Sequence, residues 1–228
     1  MIVCDSGTFQ FKPGSRSPSP SPYLMSSQDL EELNLQPGLN QARYVCQELG
    51  QVIEFHVFLY SETEKIVLTD IDGTITESDI KGHVASFLGR SCHHLGVISL
   101  FDGLASRGYR VVYLTARSMA QEEDTKAYLF STLKNQEGKS LPSGPVLFSP
   151  TSFISGLIAE VVTGSPHVQK TKMILELWST FKSENRTDIN QVIVAGYGNK
   201  ETDTQAYLQA GLLPSRVFSV NPQGRTLY

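Results

Sequence analysis

The sequence predicts an α/β protein: a parallel sheet with helices on both faces, preceded by a small antiparallel β element. Three observations predict it. First, five short, continuous apolar runs recur, at 66–68, 111–114, 146–148, 192–194 and 217–220. Strands buried on both faces read this way. Second, segments of helical period lie between them, near 79–88, 94–107, 118–135, 151–163, 166–184 and 201–211. Alternation of this kind implies an open sheet covered on both sides. Third, Ile53, Phe55, Val57 and Leu59 alternate along the stretch 51–60, which places them on one face of a strand.

In chain order, residues 1–25 are expected to be a disordered linker. Positions 13–22 read PGSRSPSPSP, which leaves little to bury and few backbone donors. Residues 26–65 form a partial β-sandwich element, with strands at 41–49 and 51–60 on either side of Gly50. Two strands alone are marginal in water, so they must join a larger sheet or pack on the rest of the chain. Residues 66–228 make the main domain. Its clearest helix starts at 166, where Ser165 can cap and Pro166 suits the first turn. Thr171, Ile174, Leu175, Trp178 and Phe181 recur on its apolar face.

Composition narrows the function. The chain has 228 residues, and its net charge of −4 argues against a nucleic-acid partner held by bulk electrostatics. Its apolar runs are far shorter than the roughly 20 residues that span a bilayer, so no transmembrane helix is expected. The first residues lack a secretory pattern. The three cysteines, Cys4, Cys46 and Cys92, suit a reducing cytosol better than a disulfide framework. The cluster Cys92, His93, His94 lacks zinc-ligand spacing and reads as a helix entry.

The residues just past the buried strands carry the chemistry. After the first run comes Thr69, Asp70, Ile71, Asp72, Gly73, Thr74. Two carboxylates at a strand's carboxyl end need compensating charge, and a divalent cation is the natural one. Gly73 allows a sharp turn, and Thr74 offers a hydroxyl and an amide. The second run ends in Thr115, Ala116, Arg117, a hydroxyl and a guanidinium fork suited to phosphate. The fourth leads into GYGNKETD, where Asn199 and Asp203 are hard oxygen ligands for Mg²⁺. In open sheets of this kind ligands bind beyond the carboxyl ends of the strands.

This constellation resembles the haloacid dehalogenase superfamily of phosphotransferases. Asp70 to Thr74 match its DxDGT motif, Thr115 its strand-end hydroxyl, and Asn199 with Asp203 its acidic magnesium motif. Lys170 is the candidate for its lysine, with Lys172 as a near competitor. A closer resemblance, over residues 33–228, is to the carboxyl-terminal catalytic region of lipins, Mg²⁺-dependent phosphatidate phosphatases. It rests on DIDGTITESDIKGH, YLTAR, LPSGPVLFSPTSF, GYGNKETDTQAY and GLLPSRVFSVNPQG. LNLQPGLNQARYVC is similar to the preceding segment, which builds part of an immunoglobulin-like domain. Thr115 stands where many lipins have Ser. Lipins also carry an amino-terminal region with an amphipathic membrane-binding helix; it is not found in this sequence, so the expectation is a truncated chain that pairs with that region or a different membrane contact.

The resemblance implies hydrolysis of phosphatidic acid to diacylglycerol and phosphate through an aspartyl-phosphate. Asp70 is then the nucleophile and Asp72 the acid and base. Thr74, Thr115, Arg117 and Lys170 hold the phosphate, with pairing to a structural acid as the other reading of Arg117, and Asp70, Asp72, Asn199 and Asp203 hold Mg²⁺. It also implies a cytoplasmic protein that visits the endoplasmic reticulum membrane peripherally, with the nucleus as a second location. Two other readings stay open. One is a phosphatidic-acid-binding domain without turnover, as in the related domain of phosphatidylinositol-transfer Nir proteins. The other is a phosphatase for a soluble phosphomonoester. Asp79 and His83 could shape the site mouth, with an ordinary packed or capping histidine as the other reading of His83. Phe153, Ile154, Leu157, Ile158 and Val161 form an apolar stripe that packs on the sheet or meets the bilayer.

Overall fold

The computed structural model describes residues 2–4, 7–9, 27–46, 50–77, 93–149 and 166–227. The helices expected at 79–88 and 151–163, with Asp79, His83 and the Phe153 stripe, lie outside the described residues, as do Cys92 and Ser165.

The first sheet is antiparallel and has four strands. Strand β3 (Gly38–Cys46) pairs with β4 (Gln51–Leu59) in the register Gly38 to Leu59 and Cys46 to Gln51. Gly50 makes the turn at a φ of 62°, a left-handed value that favours glycine. The linker reading of residues 1–25 needs correction at its start. Strands β1 (Ile2–Cys4) and β2 (Gly7–Phe9) form a hairpin whose first strand pairs with the free edge of β4. Ile2 and Val3 precede the Ser/Pro run, favour extended backbone, and satisfy an edge that would otherwise stay unpaired.

The alternating face of β4 is only half covered. Val57 is buried with Leu30, Leu35, Phe55 and Leu59 around it, while Ile53 is 61% exposed. Among the described residues this cover comes from helix α1 (Ser27–Glu32) and the chain after it, with no second sheet. Phe58 points the other way and joins the main core with Tyr60.

The second sheet has the order β10-β9-β8-β5-β6-β7. Five of its strands are parallel: β5 (Lys65–Asp70), β6 (Tyr109–Ser118), β7 (Val146–Ser149), β8 (Ile193–Gly198) and β9 (Val217–Val220). The short β10 (Thr226–Leu227) closes the edge antiparallel to β9. This is the expected haloacid dehalogenase-like architecture.

Each parallel strand feeds both faces. Ile66, Leu68, Val112 and Leu114 meet Ile174, Leu177 and Phe181 of α4 (Pro166–Phe181) and Ala206 and Tyr207 of α5 (Glu201–Gln209). Val67, Val111 and Tyr113 meet Ile98 and Phe101 of α2 (Val97–Ala105) on the opposite face. Tyr128 and Leu129 join them from the π-helical turn that follows α3 (Glu122–Ala127). Burying each such side chain contributes about 1.5–3 kcal/mol.

Helix boundaries differ from the periodicity in instructive ways. Helix α2 begins three residues later than expected, at Val97. The His94 N–H donates to the Ile75 carbonyl and Thr76 bridges His93, which keeps the entry extended until Gly96 turns it at φ 84°. On α4 the buried stripe is Met173, Ile174, Leu177 and Phe181. Leu175, expected on that face, is 38% exposed, because it sits about 100° around the helix from Ile174.

Candidate active site

Strand β5 lies between β6 and β8, where the chain order of the sheet reverses. Such a switch point opens a crevice beyond the strand's carboxyl end. Asp70 is the last residue of β5 and is almost fully buried there. The chain then turns tightly. The N–H groups of Thr74 and Ile75 donate to the Ile71 carbonyl at 3.3 and 3.0 Å, and the Gly73 N–H donates to Thr76 Oγ1 at 3.0 Å. Gly73 has a φ of 85°, and a Cβ there would stand 2.1 Å from Asn199 Nδ2. Any other residue would strain the left-handed backbone there and displace the Asn199 amide from the site.

Strand β8 supplies the opposite wall. A Cβ on Gly196 would press on the Tyr207 ring at 2.8 Å, and one on Gly198 would meet Asp203 Cβ at 2.4 Å. The two glycines thus let α5 approach closely. Tyr207 then donates its hydroxyl to the Tyr197 carbonyl at 2.9 Å, and Asp203 is carried into the crevice. Asp203 Oδ2 accepts the N–H groups of Asn199 at 3.2 Å and Lys200 at 3.0 Å. Its Oδ1 accepts from Lys170 Nζ.

Lys170 joins the two acidic walls. Its Nζ also donates to Asp70 Oδ1 at 2.5 Å. Its competitor Lys172 is 74% exposed and faces Glu176 at 3.8 Å. Thr74 Oγ1 lies 3.3 Å from Asp70 Oδ2 and 3.5 Å from Asn199 Oδ1, and its single proton serves one of them at a time. Thr115 is buried, and its Oγ1 accepts the Arg117 N–H at 3.1 Å, which leaves its own proton to donate.

Asp72 and Arg117 stand apart from this cluster. The sequence leaves Arg117 open to two roles, a phosphate ligand or the partner of an acid; here its fork grips Asp72, with Nη2 to Oδ1 at 2.6 Å and Nε to Oδ2 at 3.2 Å. The DxD spacing therefore splits the two carboxylates, one inside with Lys170 and one at the rim with Arg117.

The electrostatics derive from burial. Burial pushes the Asp70 carboxyl up to about 7; Lys170 pulls against that, and Asp203 adds to it. Burial would lower the Lys170 ammonium, but Asp70 and Asp203 outweigh it and hold it above its ordinary value. Three carboxylates share two cations, so the site carries one net negative charge once Asp70 is ionised.

The LNS2 (Lipin/Ned1/Smp2) family model matches residues 22–227. The chain belongs to the LNS2 family. Phosphatidic acid phosphohydrolase 1 of Saccharomyces cerevisiae is 36% identical over 205 residues, which cover 88% of this chain and 24% of that protein. Phosphatidate phosphatase LPIN3 of Homo sapiens is 36% identical over 206 residues, covering 89% of this chain and 23% of that protein. Phosphatidate phosphatase PAH1 of Arabidopsis thaliana is 34% identical over 218 residues, covering 92% and 23%. The chain thus spans about a quarter of the length of the relatives it matches.

The LNS2 site fits a small divalent cation. One oxygen of Asp70 and one of Asp203 already meet a single cation, the Lys170 ammonium. Among the described residues no group of three His, Cys, Asp or Glu converges. Further ligands would be neutral oxygens, such as the Asn199 amide, a backbone carbonyl, water or phosphate. Mg²⁺ is bound in that way, through one or two carboxylates and substrate oxygens.

Two structural partners of the LNS2 site have no counterpart among the residues the sequence singles out for chemistry. His94 is buried, and its Nε2 donates to the Gly73 carbonyl at 3.2 Å, bracing the turn from behind. Its only signal is the short Cys92-His93-His94 run, which reads as a helix entry. Thr125 of α3 accepts from Arg117 Nη1 at 3.1 Å. It lies in the polar stretch EEDTKA, where nothing in the pattern marks it.

Proposed function

We propose that this chain is a Mg²⁺-dependent phosphatidate phosphatase acting through an aspartyl-phosphate on Asp70. The observation that carries the reading is the buried Asp70–Lys170–Asp203 cluster at the carboxyl end of the central strand, with Asp72 held outside it. The names of the relatives supply the substrate. Residues 66–228 are the catalytic unit in this reading, and 26–65 an attached β element.

Asp70 attacks phosphorus, and the bond from phosphorus to the diacylglycerol oxygen breaks. Asp72 gives its proton to that leaving oxygen. A water then attacks the phosphorus of the aspartyl-phosphate and passes a proton to Asp72. Inorganic phosphate leaves and Asp70 is restored. Lys170, Thr74 and Thr115 donate to the phosphoryl oxygens, where charge is spread in the transition state. Asp70, Asp203, Asn199 and the Asp72 carbonyl would hold Mg²⁺, which neutralises charge on the phosphate when bound. The acyl chains of the substrate bring the reaction to a membrane or micelle surface. No described helix is long and apolar enough to cross a membrane.

The test is product release from phosphatidic acid in detergent micelles, with Mg²⁺ or with EDTA, beside glycerol 3-phosphate. Diacylglycerol and phosphate should appear in equal amounts, only with Mg²⁺, and much faster than phosphate from glycerol 3-phosphate. Equal rates on both substrates would assign a soluble phosphomonoester instead. Binding to phosphatidic acid without release would assign a binding domain.

A further inference from the structure

Arg117 ends in a closed set of contacts. Its side chain is only 6% exposed. Nε and Nη2 donate to the two oxygens of Asp72, Nη1 donates to the buried Thr125 hydroxyl, and the backbone N–H donates to Thr115. All three guanidinium nitrogens therefore have a protein partner. A planar fork on both oxygens fixes the orientation of a carboxylate, which a point-charge ammonium does not. Asp72 also needs holding. Its charge acts against that of Asp70, so where its carboxylate is held matters to the cluster.

We infer that Arg117 is a positioning residue for the acid–base step. Braced by Thr125, it keeps the Asp72 carboxyl at the rim of the site, beside the Asp70–Lys170–Asp203 cluster and outside it. There Asp72 meets the leaving oxygen, and later the attacking water, without displacing Asp70 from Lys170. This rests on the reading of Asp72 as acid and base. The proton leaves Asp72 for the diacylglycerol oxygen as the phosphorus–oxygen bond breaks. It is replaced from the water whose oxygen bonds to phosphorus. A protonated carboxyl keeps one oxygen for its own proton. One of the two bonds from Arg117 therefore opens in each turnover, while Thr125 keeps the guanidinium in place.

A double-mutant cycle on phosphatidic acid in micelles tests this. Arg117→Ala should lower kcat roughly 10²-fold, the usual worth of an acid–base group, with KM nearly unchanged. Added to Asp72→Asn, it should lower kcat by less than about threefold more, since nothing is left to position. Arg117→Lys should restore the charge without the fork and recover little. A raised KM with additive losses would make Arg117 a phosphate ligand and overturn the inference. Thr125→Val keeps Arg117 and removes its brace. It takes the place of Arg117→Ala in the cycle if that variant fails to fold. The Arg117 Nε–H resonance in ¹⁵N spectra reads the pair without turnover. It should be protected from exchange in the wild type and lose protection in Asp72→Ala, which removes both acceptor oxygens. An unchanged signal overturns the inference even in an inactive protein, whereas an inactive wild type with a protected signal speaks only against the proposed reaction.

Discussion

Asp70→Asn should reduce phosphate release by roughly 10⁴-fold or more, the scale on which nucleophiles are missed, and should stabilise the metal-free protein. The two effects have one origin. Asp70 is buried beside Asp203 and Asp72, with Lys170 shared between Asp70 and Asp203, and its carboxyl is pushed up from 3.8 to about 7. The folded state then binds the Asp70 proton more tightly than the unfolded chain does. Ionising Asp70 opposes folding, so its contribution to stability falls as pH rises from about 4 to 7. Asparagine removes that penalty and keeps the shape. In EDTA, Asp70→Asn should melt at the wild-type temperature near pH 4 and above it at pH 8. A gain of even ~1 kcal/mol raises the melting temperature by roughly 2–4 °C at this size. A wild-type rate, or a lower melting temperature at pH 8, would contradict this origin.

The opposite stability effect is expected at Lys170. Lys170→Met removes the cation that serves both buried carboxylates and leaves Asp70 and Asp203 facing each other. Breaking a buried pair in this way costs about 3–5 kcal/mol. Turnover should fall as well, by about 10²–10³-fold, the range for losing one transition-state donor. Chemical denaturation in EDTA measures the first effect and initial rates the second. On the proposed Mg²⁺ reading, added Mg²⁺ should recover part of the lost stability, because a cation held by Asp70 and Asp203 would again offset their charge. Asp70→Asn in the Lys170→Met background should also recover part of it, because one unpaired charge is then gone. Lys172→Met should change neither quantity, since Lys172 is exposed and faces Glu176.

The five parallel strands are legible in the sequence because each is a short continuous apolar run, as in the fully buried Ile66, Val67 and Leu68. The DxDGT turn is legible because charge at the end of such a strand needs an explanation. The glycines of GYG resemble a motif in sequence, but their reason is spatial: Tyr207 and Asp203 occupy the places of their Cβ atoms. The features that are not legible depend on partners distant in the chain. Arg117 reads equally as a phosphate fork or the partner of an acid, and nothing local names Asp72, 45 positions away, as that acid. Lys170 and Lys172 are equivalent by spacing; which side of α4 faces Asp70, 100 residues earlier, separates them. The assignment of Leu175 to the buried face fails because a five-residue stripe can be drawn on α4 in more than one way. The strand pairing of residues 2–4 depends on an edge of β4 that local composition does not reveal.

If phosphorus passes through the Asp70 carboxylate, the intermediate can be trapped. Acid-quenching the protein during turnover of ³²P-phosphatidic acid and mapping the labelled peptide by mass spectrometry reads it without inference from rates. The expected result is an acid-stable, hydroxylamine-labile phosphate on Asp70, present in the wild type and absent in Asp70→Asn. Full turnover with no label on Asp70, or label on another residue, would contradict the aspartyl-phosphate route.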